Sequence, residues 1–282
     1  MAGAARDRRA RALHLLNHRL RRTGPRALQP PDHPAPPGRS HRTTRLRRTA
    51  PRVRRGRGRP GMIWPMTDVT GLSIGILGGT GDQGKGLARR FALAGHPVII
   101  GSRNAQRAQE AAESIGEGAT GAENAEVAAR ADIVIVAVPW DGHKELLESL
   151  REPLAGKIVV DCVNPLGFDK QGPFPLPVEE GSAAQQAAAV LPGSRVVGAF
   201  HHVSAVLLLD PAVEKVDLDV LVLGDDREAT DLVQALAERI PGIRGVYGGR
   251  LRNAHQVEAF TANLIAINRR YKAHAGLRIT DI

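Results

Sequence analysis

The sequence predicts an α/β fold: a Rossmann-type doubly wound parallel sheet with a small C-terminal helical extension, behind a disordered N-terminal segment. Three observations predict it. Short apolar runs alternate with stretches of helical length from Leu72 onward. These runs are apolar nearly throughout, as strands covered on both faces are. A glycine-rich turn joins the first run to the first helical stretch.

At 282 residues, 42% apolar and 24% charged, the chain has the composition of a soluble globular protein. The formal net charge of +10 would suggest a nucleic-acid or membrane partner. Its location argues otherwise. Residues 1–65 hold 18 Arg against two acids, Asp7 and Asp32, and so carry +16. The remainder holds 21 bases against 27 acids and carries −6. The N-terminal stretch also has nine of the 19 prolines and no lasting apolar period. Such a segment buries too little to offset its ordering entropy, so disorder is expected. Its densest apolar cluster, Leu13, Leu15 and Leu16, is too short for a secretory signal, and with one serine, Ser40, it is poor in the Ser of a transit peptide. An Arg-rich arm can bind nucleic acid through counterion release. Apart from Trp64, however, it lacks the aromatic residues of a stacking platform, so no nucleic-acid partner is expected. Met66, just before the first apolar run, reads as a true start. The single cysteine, Cys162, excludes an internal disulfide framework and fits a reducing, cytoplasmic setting. No apolar run approaches the ~18 residues that span a bilayer.

Taken in order, the strands are expected at Leu72–Leu77, Val98–Ile100, Ile133–Val138, Lys157–Val160 and Arg195–Ala199. Between them, helices are expected at Lys85–Ala94, Ala105–Ile115, Ala122–Arg130, Gly142–Leu150 and Ser182–Val190. Strand–helix–strand repetition at this spacing gives parallel pairing. A strand at Asp219–Leu223 and a helix at Arg227–Ile240 continue the pattern, and a long helix over Leu251–Lys272 closes it. In that last helix Val257, Phe260, Leu264 and Ile267 fall at helical spacing. The organisation expected is therefore residues 1–65 as an extension, 66–205 as a dinucleotide-binding domain and 206–282 as a smaller C-terminal domain.

The sharpest chemical signal is the loop Gly78-Gly79-Thr80-Gly81-Asp82-Gln83-Gly84. Gly79, Gly81 and Gly84 form a G-x-G-x-x-G between a strand and a helix. The first permits a tight turn, the second lets backbone approach a pyrophosphate, and the third allows close helix–strand packing. The helix that follows aims free N–H groups and its positive dipole end at the phosphates. An NAD site places an acid about 20 residues on, to hold the ribose 2′-hydroxyl. Here the second strand ends in Gly101-Ser102-Arg103-Asn104-Ala105-Gln106-Arg107, with no acid at its tip. Ser102, Arg103 and Arg107 offer a hydroxyl and two guanidinium groups suited to a 2′-phosphate, so NADP is expected over NAD. Taken by itself, the tip also reads as a solvated basic turn.

Other residues carry two readings each. His201 and His202 follow a strand at the cleft edge, as cofactor contacts or as histidines satisfied structurally. Trp140 packs beside a cofactor or caps the core. Asn164 holds a nicotinamide or, with Pro165, marks a turn. Cys162 reads as a small buried hydrophobe, and Asp225-Asp226 as helix-capping residues rather than a metal site. No Ser/His/Asp, Cys/His or metal-ligand spacing stands out.

Together these segments resemble the F420-dependent NADP reductases. The matching stretches are the glycine loop with Lys85-Gly86-Leu87-Ala88, then Gly95-His96, Gly101-Ser102-Arg103, Ala131-Asp132-Ile133-Val134 and Val138-Pro139-Trp140. Val196-Val197-Gly198-Ala199-Phe200-His201, Gly224-Asp225-Asp226 and Arg252-Asn253-Ala254 also fit, so the likeness runs from about Leu72 to the C-terminus. The resemblance implies that Thr80, Ser102, Arg103 and Arg107 grip the NADP 2′-phosphate. It implies that coenzyme F420 lies over the nicotinamide, lined by Val138, Pro139 and Trp140 on one side and by His201, Ser204 and Ala205 on the other. Ser204 departs from the family, whose members often carry Pro shortly after the His. The implied reaction is direct hydride transfer between two carriers, which needs no catalytic side chain. Residues 206–282 are then expected to share in the F420 cleft and, since the apolar face of the last helix has little domain left to cover it, to make the contacts of a homodimer. Rival readings are an NADPH-dependent reductase of an imine, a flavin or ferric iron, and a non-catalytic NADP sensor.

Overall fold

The computed structural model describes residues 67–282; the expected disorder of residues 1–65 and the start at Met66 lie outside them. The first apolar run forms β1 (Ile74–Leu77), followed by α1 (Asp82–Leu93) and β2 (Val98–Ser102). Then come α2 (Ala105–Ile115), β3 (Thr120–Glu123), α3 (Asn124–Arg130) and β4 (Ile133–Val136). After a short turn of 3₁₀ helix at Trp140–Gly142 follow α4 (His143–Ser149), α5 (Arg151–Leu154) and β5 (Ile158–Asp161). A hairpin of β6 (Leu166–Asp169) and β7 (Gly172–Pro175) precedes α6 (Ala183–Val190), β8 (Arg195–Gly198) and α7 (Ala205–Leu209). The chain ends with β9 (Leu218–Gly224), α8 (Arg227–Ala237), β10 (Ile243–Gly249) and α9 (Ala254–Tyr271).

Eight strands form one sheet in the order β10-β9-β8-β5-β4-β1-β2-β3. Pairing is parallel from β3 to β8, whereas β9 runs antiparallel to β8 and carries β10 parallel to itself. The expected doubly wound sheet is thus present, with two reversed strands added from the C-terminal residues. Strand order turns back between β1 and β4, which opens a crevice at their carboxyl ends.

The apolar runs are explained by two core layers. Ile74, Ile76, Ile133, Ile135, Ile158 and Val160 face one layer, with Phe91 and Phe200. Their neighbours Leu77, Val134, Val136 and Val159 face the other, with Leu147 and Leu154. Successive side chains of a strand point to opposite faces. Both faces being covered, neither can be polar.

Several bounds differ from the sequence expectation, each for a physical reason. The helix expected from Ala122 starts at Asn124, because Thr120–Glu123 pairs with Ile99–Ser102 as an edge strand. That strand is mostly exposed and polar, so it shows no apolar run. β10 is glycine-rich and half-buried at the opposite edge, and the hairpin β6–β7 projects with Phe168 exposed. Asp226 caps α8 as expected, its carboxylate accepting from Ala229 N at 2.8 Å.

Candidate active site

The glycine loop closes the carboxyl end of β1. Gly78 takes the left-handed turn, with φ of +70°. The tight turn assigned to Gly79 therefore falls one residue earlier. Gly79 is required instead by packing, since a Cβ there would lie 2.8 Å from the Ile100 side chain. Gly84 must be small because a Cβ would lie 2.6 Å from the Gly79 Cα. At Gly81 the nearest atom would be the Gly78 carbonyl at 3.9 Å, so this backbone faces open space. Gly81 is also the N-cap of α1 and supplies no side-chain cap. The first N–H groups of α1 are therefore free to bind an anion.

Beside the loop, Thr80 and Arg107 line a recess of about 320 Å³ together with Lys85, Glu110 and Ser114. Asn104 caps α2, its side-chain oxygen accepting from Arg107 N at 3.0 Å, while Asn104 N donates to Ser102 Oγ at 3.2 Å. This pair of bonds fixes the tip of β2. Arg103 and Arg107 are both exposed, and among the described residues neither guanidinium has an ion pair. Two uncommitted cations remain at the strand tip.

A cleft of about 550 Å³ lies beyond the carboxyl ends of β4, β5 and β8. Gln83 of the glycine loop lines it, as do Val138, Pro139 and Trp140 after β4. Asn164 follows β5, and His201, His202 and Ser204 follow β8. Thr261, Leu264, Ile265 and Asn268 of α9 complete the wall. Phe200, fully buried with φ of +63°, turns the chain so that both histidines enter the cleft wall. A buried aromatic residue rarely adopts that conformation, and such strain persists only where surrounding structure enforces it. Here the enforcing contacts are the edge-on ring of Phe91 at 6.0 Å and the Gln83 Nε2 bond to the Phe200 carbonyl at 3.4 Å.

His201 and His202 are buried with their ring nitrogens out of solvent, and the Cys162 and Val163 backbone adjoins the His201 ring. Burial pushes both down to about 4, so both are neutral near pH 7. A neutral imidazole offers one donor and one acceptor. Buried polar atoms are ordinarily paired. Both residues line the cleft, while their ring nitrogens lie beneath its surface.

Behind this wall lies a second polar group. His143 Nε2 sits 2.6 Å from Asp161 Oδ2, with neither side chain exposed. His143 Nδ1 lies 3.0 Å from Gln186 Oε1, while Gln186 Nε2 donates to Glu180 at 3.1 Å. Burial alone would lower the His143 pKa, but the charge and hydrogen bond of Asp161 carry it up to about 9. Glu258 of α9 accepts from Ala183 N at 2.9 Å and Ala184 N at 3.1 Å, capping α6. Its carboxyl is pushed up to about 7 by burial, against those two bonds. Cys162 is buried, its thiol pushed up by burial and donating to the Val136 carbonyl, as expected of a small inert hydrophobe.

Known proteins are similar to this chain. The family model for F420-dependent NADP oxidoreductases matches residues 73–165. The F420-dependent NADP reductase of Methanothermobacter thermautotrophicus is 41% identical over 229 residues, covering 77% of this chain and 98% of that protein. The chain belongs to the F420-dependent NADP reductases. The reductase of Methanocaldococcus jannaschii is 39% identical, covering 75% of this chain and 99% of its own length. A solved structure from Arthrobacter sp. FB24, provisionally described as an F420-dependent NADP reductase, superimposes with a TM-score of 0.66 at 28% identity. It covers 75% of this chain and is itself covered fully. The rat metalloreductase STEAP3 is 33% identical over 192 residues, which amount to 37% of that protein.

Within this reductase fold, the residues expected at the site fall into two groups. Thr80 and Arg107 meet at the recess; Gln83, Val138, Pro139, Trp140, Asn164, His201 and Ser204 meet at the cleft. Ser102, Arg103 and Ala205 line neither space. Ala205 instead begins α7. The C-terminal residues were expected to share in the cleft, but the particular residues of α9 were not foreseen. Thr261, Leu264, Ile265 and Asn268 follow a helical i, i+3, i+4, i+7 period, which the polar ends of the series conceal. Val257 and Leu264 turn inward, whereas Phe260 and Ile267 are each 37% exposed.

Proposed function

We propose that this chain transfers a hydride between reduced coenzyme F420 and NADP⁺, with NADP on the glycine loop and F420 in the cleft. One observation carries this reading. Gln83 belongs to the dinucleotide loop and also lines the cleft walled by His201 and His202. Two ligands placed there would meet at one edge.

The residues present fit both ligands. Gly79, Gly81 and Gly84, with Thr80, Asp82 and Gln83, cradle the pyrophosphate on open backbone and free helix N–H groups. Arg103 and Arg107, with Ser102, take the 2′-phosphate dianion, a pairing that is charge-assisted and bidentate. Val138, Pro139, Trp140, Asn164, Ser204 and the neighbouring Ala205 frame the deazaflavin with His201. When bound, the two cofactors supply the chemistry: a hydride passes from one ring to the other, and oxidation of reduced F420 releases a proton. The protein's part is to stack, orient and exclude water. In this division residues 66–205 hold NADP, and residues 206–282 complete the F420 cleft. A homodimer would cover the exposed Phe260 and Ile267 of α9, and the single cysteine suits a cytosolic enzyme.

Among the described residues no helix is long and apolar enough to cross a membrane. The test is direct. Mixing the protein with reduced F420 and NADP⁺ should raise absorbance at about 340 nm as NADPH forms. Binding of NADP⁺ without turnover would favour a sensor, and turnover with an imine, flavin or ferric iron alone would favour another reductase.

A further inference from the structure

The His143–Asp161 pair is fully buried, and the hydride-transfer reading gives it no role. Both nitrogens of His143 face acceptors. Nε2 meets the Asp161 carboxylate, and Nδ1 meets Gln186 Oε1, whose amide orientation is set by the bond from Gln186 Nε2 to Glu180. An imidazole flanked by two acceptors carries two protons. His143 is therefore an imidazolium. Its ring stacks on the Trp140 indole, with centroids 5.5 Å apart and planes at 29°. A cation within ~6 Å of an indole face is attracted by its quadrupole. Trp140 in turn lines the cleft. The other Asp161 oxygen accepts from Val163 N at 3.0 Å, and Val163 also lines the cleft. One ion pair thus braces the ends of two adjacent strands, β4 and β5.

We propose that His143 is a positioning residue: as an imidazolium anchored by Asp161, it holds the Trp140 indole by a cation–π stack against the cofactor cleft. The inference rests on the reading of that cleft as the F420 pocket. It adds the device that fixes the pocket wall. The groups facing His143 are Asp161 from β5, Gln186 from α6 and Glu258 from α9, while Glu180 holds Gln186 and pairs with Lys144. Of these, the charges of Asp161 and Glu258 favour the imidazolium. Loss of its proton would leave an uncharged ring beneath the indole and one acceptor contact unmet.

A stacked imidazolium quenches indole emission by accepting an electron from the excited ring, whereas neutral imidazole quenches far less. Tryptophan emission of the full-length protein should therefore rise as pH passes through about 9, where His143 loses its proton. Trp140→Phe should abolish the rise, assigning it to Trp140 rather than Trp64. His143→Gln should remove the pH step, and should raise KM for F420 about threefold or more while KM for NADP⁺ stays unchanged. Asp161→Asn should move the step to lower pH. A step that survives in His143→Gln, or is missing from the wild type, overturns the inference. So does an equal rise in both KM values, which marks a merely structural role. Should His143→Gln not fold, an unmoved step in Asp161→Asn would overturn it. A normal emission step in a protein that does not turn over F420 would defeat the functional reading alone.

Discussion

Asn164 Nδ2 donates to the backbone carbonyl of His201 at 2.7 Å, joining the segments that follow β5 and β8 beside the cleft. Thr261 Oγ1 of α9 donates to the same carbonyl at 3.2 Å. Three separate elements thus converge on the peptide that presents His201. Asn164→Ala should remove one hydrogen bond, costing about 1 kcal/mol in urea unfolding. KM for F420 should rise more than KM for NADP⁺, because the affected peptide borders the deazaflavin side. Thr261→Val should act on the same carbonyl, so the double variant should depart from additivity. Strict additivity would mean that the two bonds do not share a task.

Arg107 stands at the start of α2 with its guanidinium unengaged, beside Thr80 in the recess. A charge-assisted contact to phosphate is worth about 1.5–3 kcal/mol. Arg107→Ala should therefore raise KM for NADP⁺ about tenfold or more, with little change toward NAD⁺. Steady-state kinetics with both nucleotides checks this. Equal losses would remove the 2′-phosphate assignment.

The glycine loop separates binding from folding at two positions three residues apart, Gly81 and Gly84. A Cβ at Gly81 meets only open space, whereas one at Gly84 lies 2.6 Å from backbone. Gly81→Val should abolish NADP⁺ binding by calorimetry and leave the melting temperature nearly unchanged. Gly84→Val should lower the melting temperature sharply, because two backbones must separate. Retained NADP⁺ affinity in Gly81→Val would rule out the loop as the pyrophosphate site.

How far the sequence revealed this arrangement depended on burial. Strands such as β4 and β5 announced themselves, because coverage on both faces leaves only apolar residues. The edge strands β3 and β10 did not, since exposure permits Thr, Glu and glycine there. At the site, the glycine loop and the β2 tip were legible because their chemistry is local in sequence. The cleft wall from α9 was not, because Thr261 and Asn268 gain meaning only when folding brings them opposite His201 and Val138. The His143–Asp161 pair was hidden for the same reason. Eighteen residues separate the two partners, and neither stands in a motif.

Stability should fall on both sides of neutrality, through different histidines. His201 and His202 are held down to about 4, below the ordinary 6.5, by burial. Their contribution is present above pH 6.5 and is lost as pH falls toward 4, because the unfolded chain then binds more protons. His143 is shifted the other way, up to about 9, so its contribution is present below pH 6.5 and lost as pH rises through 9. Glu258, raised to about 7, adds a loss as pH rises from 4.5 through 7. Urea midpoints between pH 4 and 10 should thus show an acid limb and an alkaline limb, each on the order of 2 kcal/mol. His202→Asn should flatten the acid limb and leave the alkaline one. Glu258→Gln should steepen the acid limb, because the opposing loss between pH 4.5 and 7 disappears when the side chain cannot ionise. An acid limb unchanged in His202→Asn would mean that the neutral imidazole of His202 contributes nothing to the folded state.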